Sequence, residues 1–404
     1  MTRTAHDTTV GVACVGYSFM GKAHSNAWRN VGAFYPDAPR AVQRVLVGRD
    51  PRRVDEAAQR YGWQESATDW RAVLERDDIH VVDICTPGHL HAEIAEAALA
   101  AGKHVLLEKP LANTVAESEV LVAAAEAAAG HGVLSMVGFN YRRVPALALA
   151  RELIAAGRLG EVREVRAAYL QDWLVDADAP MAWRLRKEEA GSGALGDLGS
   201  HVVDQVQFLL GDTVSWASGH LRTFVTSRPG ESGPEDVTVD DAAWATLGMS
   251  GGAVASVEVS RMAHGRKNGL ALEVYGSEGS LRFELESLNE LVVDTGVGGT
   301  RILVTESDHP YVGAWWPPGH VLGWDHTFVN QAADLLTCIS EGRAPSPSFA
   351  EGARVQRVLA AIESSAAQSG TCVDVAPAAG ATPPVVPHVP APTAPPAVTL
   401  EQHS

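Results

Sequence analysis

A lysine, an aspartate and a histidine stand out as a set able to oxidise an alcohol. Lys109 lies in Leu107-Glu108-Lys109-Pro110, at the end of a short apolar run. Pro110 fixes the turn and holds its neighbour's backbone extended. Asp197 and His201 lie in Gly196-Asp197-Leu198-Gly199-Ser200-His201, within and just after the glycine-rich stretch that starts at Gly191. If Asp197 begins a helix, these two residues share a face, and Asp204 follows three positions beyond His201. Alcohol oxidation needs a base near neutral pH, and histidine suits that task. Singly, each residue has a plain structural role: a strand-end surface lysine, an N-cap aspartate, a core histidine. Their joint placement carries the chemical reading.

A hydride acceptor would come from the segment Val15-Gly16-Tyr17-Ser18-Phe19-Met20-Gly21. It follows an apolar strand and opens a helix, as a dinucleotide-binding turn does. Gly16 allows the bend, and Gly21 allows helix and strand to pack closely. A pyrophosphate then meets the free N–H groups of the helix start. Ser18 stands at the second glycine position, where the backbone approaches the phosphates. A bare strand–helix turn with no ligand is the alternative. The next strand ends in Gly48-Arg49-Asp50. Arg49 favours the 2′-phosphate of NADP and Asp50 the 2′-hydroxyl of NAD, so the cofactor stays open as NAD or NADP. His89 and His91 lack a third ligand nearby, so no metal is expected.

These residues need elements to position them. Short apolar runs at 10–15, 42–47, 80–85, 104–107 and 133–137 alternate with helical segments at 22–31, 54–61, 91–101 and 115–129. Continuous apolar runs mark strands buried on both faces, and the alternation marks βαβ units around a parallel sheet. Beyond 141 the pattern changes. A helix is expected at 145–156, a strand at 161–171 and a helix at 199–210. Strands follow at 221–226, 242–247, 253–259, 270–274, 280–283 and 290–293, with helices at 327–340 and 350–365. The fold class is therefore an α/β N-terminal domain with a parallel sheet, followed by an α+β domain on a large, mostly antiparallel sheet. The expected divisions are 1–140, 141–376 and a Pro/Ala-rich, disordered tail at 377–404.

The totals set limits. A chain of 404 residues with 46% hydrophobic and 20% charged residues fits two globular domains. A formal charge of −17 opposes phosphate backbones, so no nucleic acid partner is expected. Four scattered cysteines suggest neither a zinc site nor a disulfide framework. With no apolar leader and no membrane-length apolar run, a cytoplasmic protein without a membrane partner is expected.

The three motifs together, in this order and spacing, resemble the glucose–fructose oxidoreductase/inositol dehydrogenase/rhizopine catabolism family over about 10–375. Phe139-Asn140-Tyr141-Arg142-Arg143, Tyr169-Leu170-Gln171-Asp172-Trp173, Trp183-Arg184 and His264-Gly265-Arg266-Lys267-Asn268 are most similar to its levoglucosan dehydrogenase branch. That branch oxidises the C3 hydroxyl of an anhydro-sugar. The resemblance implies that Lys109 holds or polarises the reacting hydroxyl, His201 takes its proton and Asp197 orients the pair. It implies a cofactor site of Gly16, Ser18, Phe19, Met20, Gly21, Arg49, Thr86, Pro87, His91, Glu108, Lys109 and Asn140. It implies a sugar pocket of Asn140, Tyr141, Gln171, Trp173 and Arg184, joined by Asp197 and His201. Partly desolvated beside a cationic nicotinamide, Lys109 would help to stabilise an alkoxide. Trp173 and Trp183 suit the C–H faces of a pyranose. Ser18 and Gly88 depart from the family's usual Gly and Asn. A homodimer or homotetramer formed through the antiparallel sheets is also implied. Three functions fit: a dehydrogenase of a sugar, anhydro-sugar, glycoside or cyclitol; a glycosidase or epimerase using transient oxidation; and a non-catalytic dinucleotide-binding regulator.

Overall fold

The computed structural model describes residues 9–296 and 298–377, so the tail expected from 377 falls outside them but for Pro377 itself. Six parallel strands form the first sheet: β1 (Thr9–Val15), β2 (Arg40–Val47), β3 (Glu65–Ala67), β4 (Val81–Ile84), β5 (His104–Leu107) and β6 (Ser135–Val137). Their order is β3-β2-β1-β4-β5-β6, the doubly wound arrangement in which ligands sit beyond the carboxyl ends of the strands. Helices α1 (Phe19–Phe34), α2 (Pro51–Tyr61), α3 (Trp70–Leu74), α4 (His91–Ala100) and α5 (Val115–Ala129) make the crossovers. Local chemistry sets their ends. Asp50 caps α2 ahead of Pro51, and left-handed Gly62 closes it. Thr114 and Glu117 form a capping box on α5.

The second half contains α6 (Pro145–Ala155), β7 (Val162–Leu170), α7 (Lys187–Ala190), α8 (Ser200–Leu210), β8 (Val214–Arg222) and the small hairpin of β9 (Ser227–Gly230) and β10 (Gly233–Asp236). Then come β11 (Ala242–Met249), β12 (Val254–Ser260), β13 (Gly269–Gly276), β14 (Ser280–Glu284), β15 (Glu290–Asp294) and β16 (Gly299–Leu303). The chain ends its described part with α9 (His326–Glu341), α10 (Phe349–Ala367) and β17 (Val373–Asp374). Nine strands pair in the order β16-β15-β14-β13-β7-β12-β11-β8-β17. Only β7 and β12 run parallel, so the sheet is mostly antiparallel.

Two local expectations change. The expectations leave out β3, α3, α7, the β9–β10 hairpin, β16 and β17, all of five residues or fewer. They also place a strand at 221–226, whereas β8 ends at Arg222. The buried Asp241 carboxylate ends it by accepting the backbone N–H groups of Phe224 (2.7 Å) and Val225 (3.0 Å). Those donors are thereby satisfied without a sheet partner.

One face of the large sheet packs on α6, α8 and α10. On β12 buried and exposed residues alternate, and on the other face Trp244 and Val254 remain exposed. Helices α9 and α10 return to the first lobe, α9 against α1 and α10 against α5 and β6. The lobes are locked further by Arg142. Its guanidinium meets Asp204 of α8 at 2.6 Å and Glu351 of α10 at 2.7 Å. Arg142 and Asp204 are buried. Replacing Arg142 with Met leaves that carboxylate uncompensated, a loss of roughly 3–5 kcal/mol. Thermal denaturation should show a large drop in melting temperature, with much of it restored when Asp204→Asn is added.

Candidate active site

A cavity of about 1260 Å³ runs along the carboxyl ends of the parallel strands and on between the two lobes. It is lined at β1 by Gly16, at β2 by Gly48 and Arg49, at β4 by Cys85 and Thr86, and at β5 by Glu108 and Lys109. The second lobe closes it with Gln171, Asp197, His201 and Arg261.

Gly16 has φ 111°, and a Cβ there would lie 2.6 Å from the Cys85 carbonyl oxygen. A Cβ on Gly21 would lie 2.0 Å from the Gly16 oxygen. Both glycines are therefore required by close approach of backbone to backbone. Gly21 does not line the cavity; it seats α1 under the turn. Ser18 is exposed, is extended and makes no side-chain cap bond, and the first turn of α1 carries no acid. The N–H groups of the helix start thus remain open to an anion. Thr86 Oγ1 is buried at the cavity without a partner, a further polar atom for a ligand to satisfy. These residues fit a dinucleotide.

At the far end, Arg49 lines the cavity with Trp70 and Arg71. Asp50 does not; its Oδ1 accepts the Arg53 N–H at 3.0 Å as the cap of α2. His91 lines the cavity, yet its ring nitrogens face backbone carbonyls, Nδ1 that of Pro110 and Nε2 that of Thr86, each at 2.9 Å, and the neutral ring that burial favours donates to one of them. It braces two cavity loops. His89 is exposed. Phe19, Met20, Pro87 and Asn140 also line the cavity, and Asn140 is fixed by donating to Thr327 Oγ1 at 2.8 Å.

The catalytic candidates meet where the lobes face each other. Lys109 Nζ donates to Asp197 Oδ1 at 2.8 Å and to the Asp197 carbonyl at 2.9 Å. The other carboxylate oxygen accepts from Arg261 at 2.9 Å. Burial opposes the charge on Asp197, but Lys109 and Arg261 outweigh it and hold the carboxyl far below its ordinary range. Asp197 sits in a π-helical turn, Leu195–Gly199, that runs straight into α8, so it is not an N-cap. Its carboxylate orients Lys109 and does not bond His201.

His201 is buried, with its ring 4.6 Å from that of Tyr141 and 5.9 Å from that of Tyr169. Nδ1 has no partner. Burial and the Lys109 charge push its pKa well below the ordinary value, against the pull of Asp197. The imidazole is therefore neutral and able to accept a proton. Beside it the Tyr141 and Tyr169 hydroxyls lie 2.8 Å apart, and Tyr169 donates to Asn268 Oδ1 at 2.6 Å. Gln171 Nε2 donates to the same oxygen at 2.9 Å, and Gln171 Oε1 accepts from Trp173 Nε1 at 2.8 Å. Arg184 is stacked on Trp183 at 4.3 Å. This wall presents hydroxyl, amide and guanidinium groups beside two indoles.

The cavity thus gathers the site candidates except Gly21 and Asp50. Sequence reasoning missed Arg261, Trp324, Phe328 and the His24–Asp83 pair. Trp324 reaches the cavity from the loop before α9 and stacks on Phe19 at 5.5 Å. Its neighbours are remote in sequence, so no local pattern marks it.

Comparison with known proteins fits this geometry. Residues 10–139 match a family described as an oxidoreductase family with an NAD-binding Rossmann fold. Residues 147–282 match the GFO/IDH/MocA C-terminal domain. The chain is 41% identical to levoglucosan dehydrogenase of Pseudarthrobacter phenanthrenivorans, over 91% of this chain and 98% of that one. An oxidoreductase domain protein from Kribbella flavida superposes with a TM-score of 0.90 at 52% identity, covering 92% of this chain and all of that one (100%). A levoglucosan dehydrogenase complex with NADH and levoglucosan gives 0.88 at 41% identity, covering 91% and 100%.

His201 makes stability depend on pH. Its folded pKa is depressed, so below about pH 6.5 the unfolded chain binds a proton that the fold excludes. Its share of stability is complete above that value and is lost as pH falls towards the folded pKa. Melting temperature followed from about pH 7.5 downward should fall less steeply in His201→Asn than in the wild type.

Proposed function

The chain belongs to the GFO/IDH/MocA family of oxidoreductases, and from that premise we propose that it oxidises a secondary ring hydroxyl of a sugar or anhydro-sugar, with C3 of levoglucosan as the model position. The observation that carries this is the placing of a neutral His201 beside the Lys109–Asp197 pair, at the lobe junction of a cavity that begins at a dinucleotide turn. The NADH complex of the levoglucosan enzyme supports NAD as the cofactor.

A bound nicotinamide supplies the hydride acceptor. Gly16, Ser18 and the start of α1 would hold the pyrophosphate, and Thr86, Glu108 and Asn140 would flank the nicotinamide end. The protein's own work is to place the hydroxyl and to move its proton. Lys109, held by Asp197, points its remaining donor capacity at the hydroxyl oxygen and stabilises the negative charge that develops there. His201 receives the proton as the C–H bond gives up its hydride. Arg261 keeps Asp197 ionised, so Lys109 keeps its partner and its aim. Gln171, Trp173, Tyr141 and Arg184 fix the other hydroxyls, and the indole faces take the apolar side of the ring. The uncovered face of the nine-stranded sheet is proposed as the contact between subunits of a homodimer or homotetramer.

Purified protein incubated with NAD or NADP and a panel of levoglucosan, inositols and pyranosides should reduce NAD with levoglucosan-like sugars. No reduction of either cofactor on any of them would sink the proposal. Lys109→Met and His201→Asn should each lower kcat/KM by about 10²–10⁴-fold. NADH affinity, read by its fluorescence, should change far less than the rate. Light scattering should return two or four chain masses, and a monomer would refute the sheet contact.

A further inference from the structure

Beneath Lys109 lies a buried charge relay of which the site described above uses only Glu108. His24, in the second turn of α1, is almost fully buried. Its Nδ1 contacts Asp83 Oδ1 at 2.9 Å and Oδ2 at 3.0 Å. Its Nε2 contacts Glu108 Oε1 at 2.9 Å. Trp28 Nε1 donates to Asp83 Oδ2 at 2.7 Å, and the Lys109 backbone N–H donates to Glu108 Oε2 at 3.2 Å. Asp83 is wholly buried on β4, whereas Glu108 reaches the cavity wall. The Glu108 carboxylate sits against Gly138, where a Cβ would come within 2.8 Å of Oε1. Among the described residues, no lysine or arginine side chain pairs with either carboxylate.

Both ring nitrogens of His24 face carboxylate oxygens, so with both acids ionised both nitrogens must donate. Two carboxylates against one imidazolium leave one uncompensated negative charge. The proton on Nε2 decides where it resides. With that proton on His24, Glu108 is ionised and the charge faces the cavity. With it on Glu108, the charge withdraws to Asp83 in the core.

We propose that His24, acting through Glu108, keeps a negative charge on the cavity wall beside Lys109, so that the site favours the oxidised, cationic nicotinamide relative to the reduced, neutral one. His24 is thus a positioning residue. It touches neither substrate nor cofactor, and it fixes the group next to the catalytic lysine. Burial works against charge on His24, but Asp83 and Glu108 together raise its pKa well above the ordinary value, in keeping with an imidazolium. A negative charge at close range in a partly desolvated cavity acts strongly on a cationic ring and weakly on a neutral one. The relay is also stiff: His24 packs against Phe328, and its carboxylates are anchored by an indole and a backbone N–H.

This inference rests on the dinucleotide binding proposed above, and the test separates the two. NADH affinity is read by fluorescence titration and NAD+ affinity by calorimetry, for wild type, Glu108→Gln, His24→Gln and Glu108→Asp. In Glu108→Gln and His24→Gln the Kd for NAD+ should rise about tenfold while that for NADH moves less than about threefold. Glu108→Asp keeps the charge and should hold the ratio closer to wild type than Glu108→Gln does, whatever the shorter side chain costs both forms alike. Equal weakening of both forms, or an unmoved ratio, overturns the relay. A wild type that binds neither form overturns the dinucleotide reading along with it. If His24→Gln does not fold, Glu108→Gln decides alone, because it removes the charge and retains the shape.

Discussion

The ion pair between Lys109 and Asp197 is the constraint on which the site depends. One partner ends a parallel strand of the first lobe and the other occupies a π-helical turn of the second. Two charges at an internal surface are stable only when their remaining hydrogen-bonding capacity is met. Here the second carboxylate oxygen is taken by Arg261, and the ammonium also binds the Asp197 carbonyl. The pair is thus held from both sides. Its geometry exists only where the two lobes meet, so the alignment of the Lys109 ammonium depends on how the lobes dock.

Other features of the fold serve that junction. Helices α9 and α10, though late in the chain, pack against the first lobe. Arg142 ties the loop after β6 to α8 and α10 at once. The nine-stranded sheet places Gln171 just past β7 and Arg261 just past β12, on neighbouring parallel strands that end together. Cavity-lining side chains from these strands therefore sit on one rigid edge rather than on independent loops.

Much of this was legible in sequence because it is local. The strand–glycine–helix turn, the Leu-Glu-Lys-Pro strand end and the Gly-Asp-Leu-Gly-Ser-His segment are each contiguous. The runs of apolar residues also mark strands buried on both faces. The elements lost were β3, α3, α7, the β9–β10 hairpin, β16 and β17, none longer than five residues and so carrying little periodicity, and the true extent of β8, whose end is set by Asp241 nineteen positions beyond Arg222. The missed site residues share one cause. Arg261 and Trp324 line the cavity and His24 lies behind it, each placed by partners far away in the chain. Asp50 is the reverse case, since its position suggests ribose recognition but its carboxylate is used locally, by the start of α2.

Two buried histidines show why residue type alone underdetermines such a site. Burial penalises charge on both. His201 is enclosed by Phe139, Tyr141 and Tyr169, with the Lys109 charge nearby, and stays neutral. His24 lies between two carboxylates and takes the opposite state. Environments that drive similar groups apart assign them different tasks. The neutral ring can receive a proton at the cavity surface, and the charged ring can only hold its neighbours in place. Lys109 lies between these two regimes, with its backbone bonded to the relay and its ammonium bonded to Asp197. Its side chain is thus fixed at both ends by electrostatics, and the direction of its one remaining N–H bond follows from charges placed on opposite lobes.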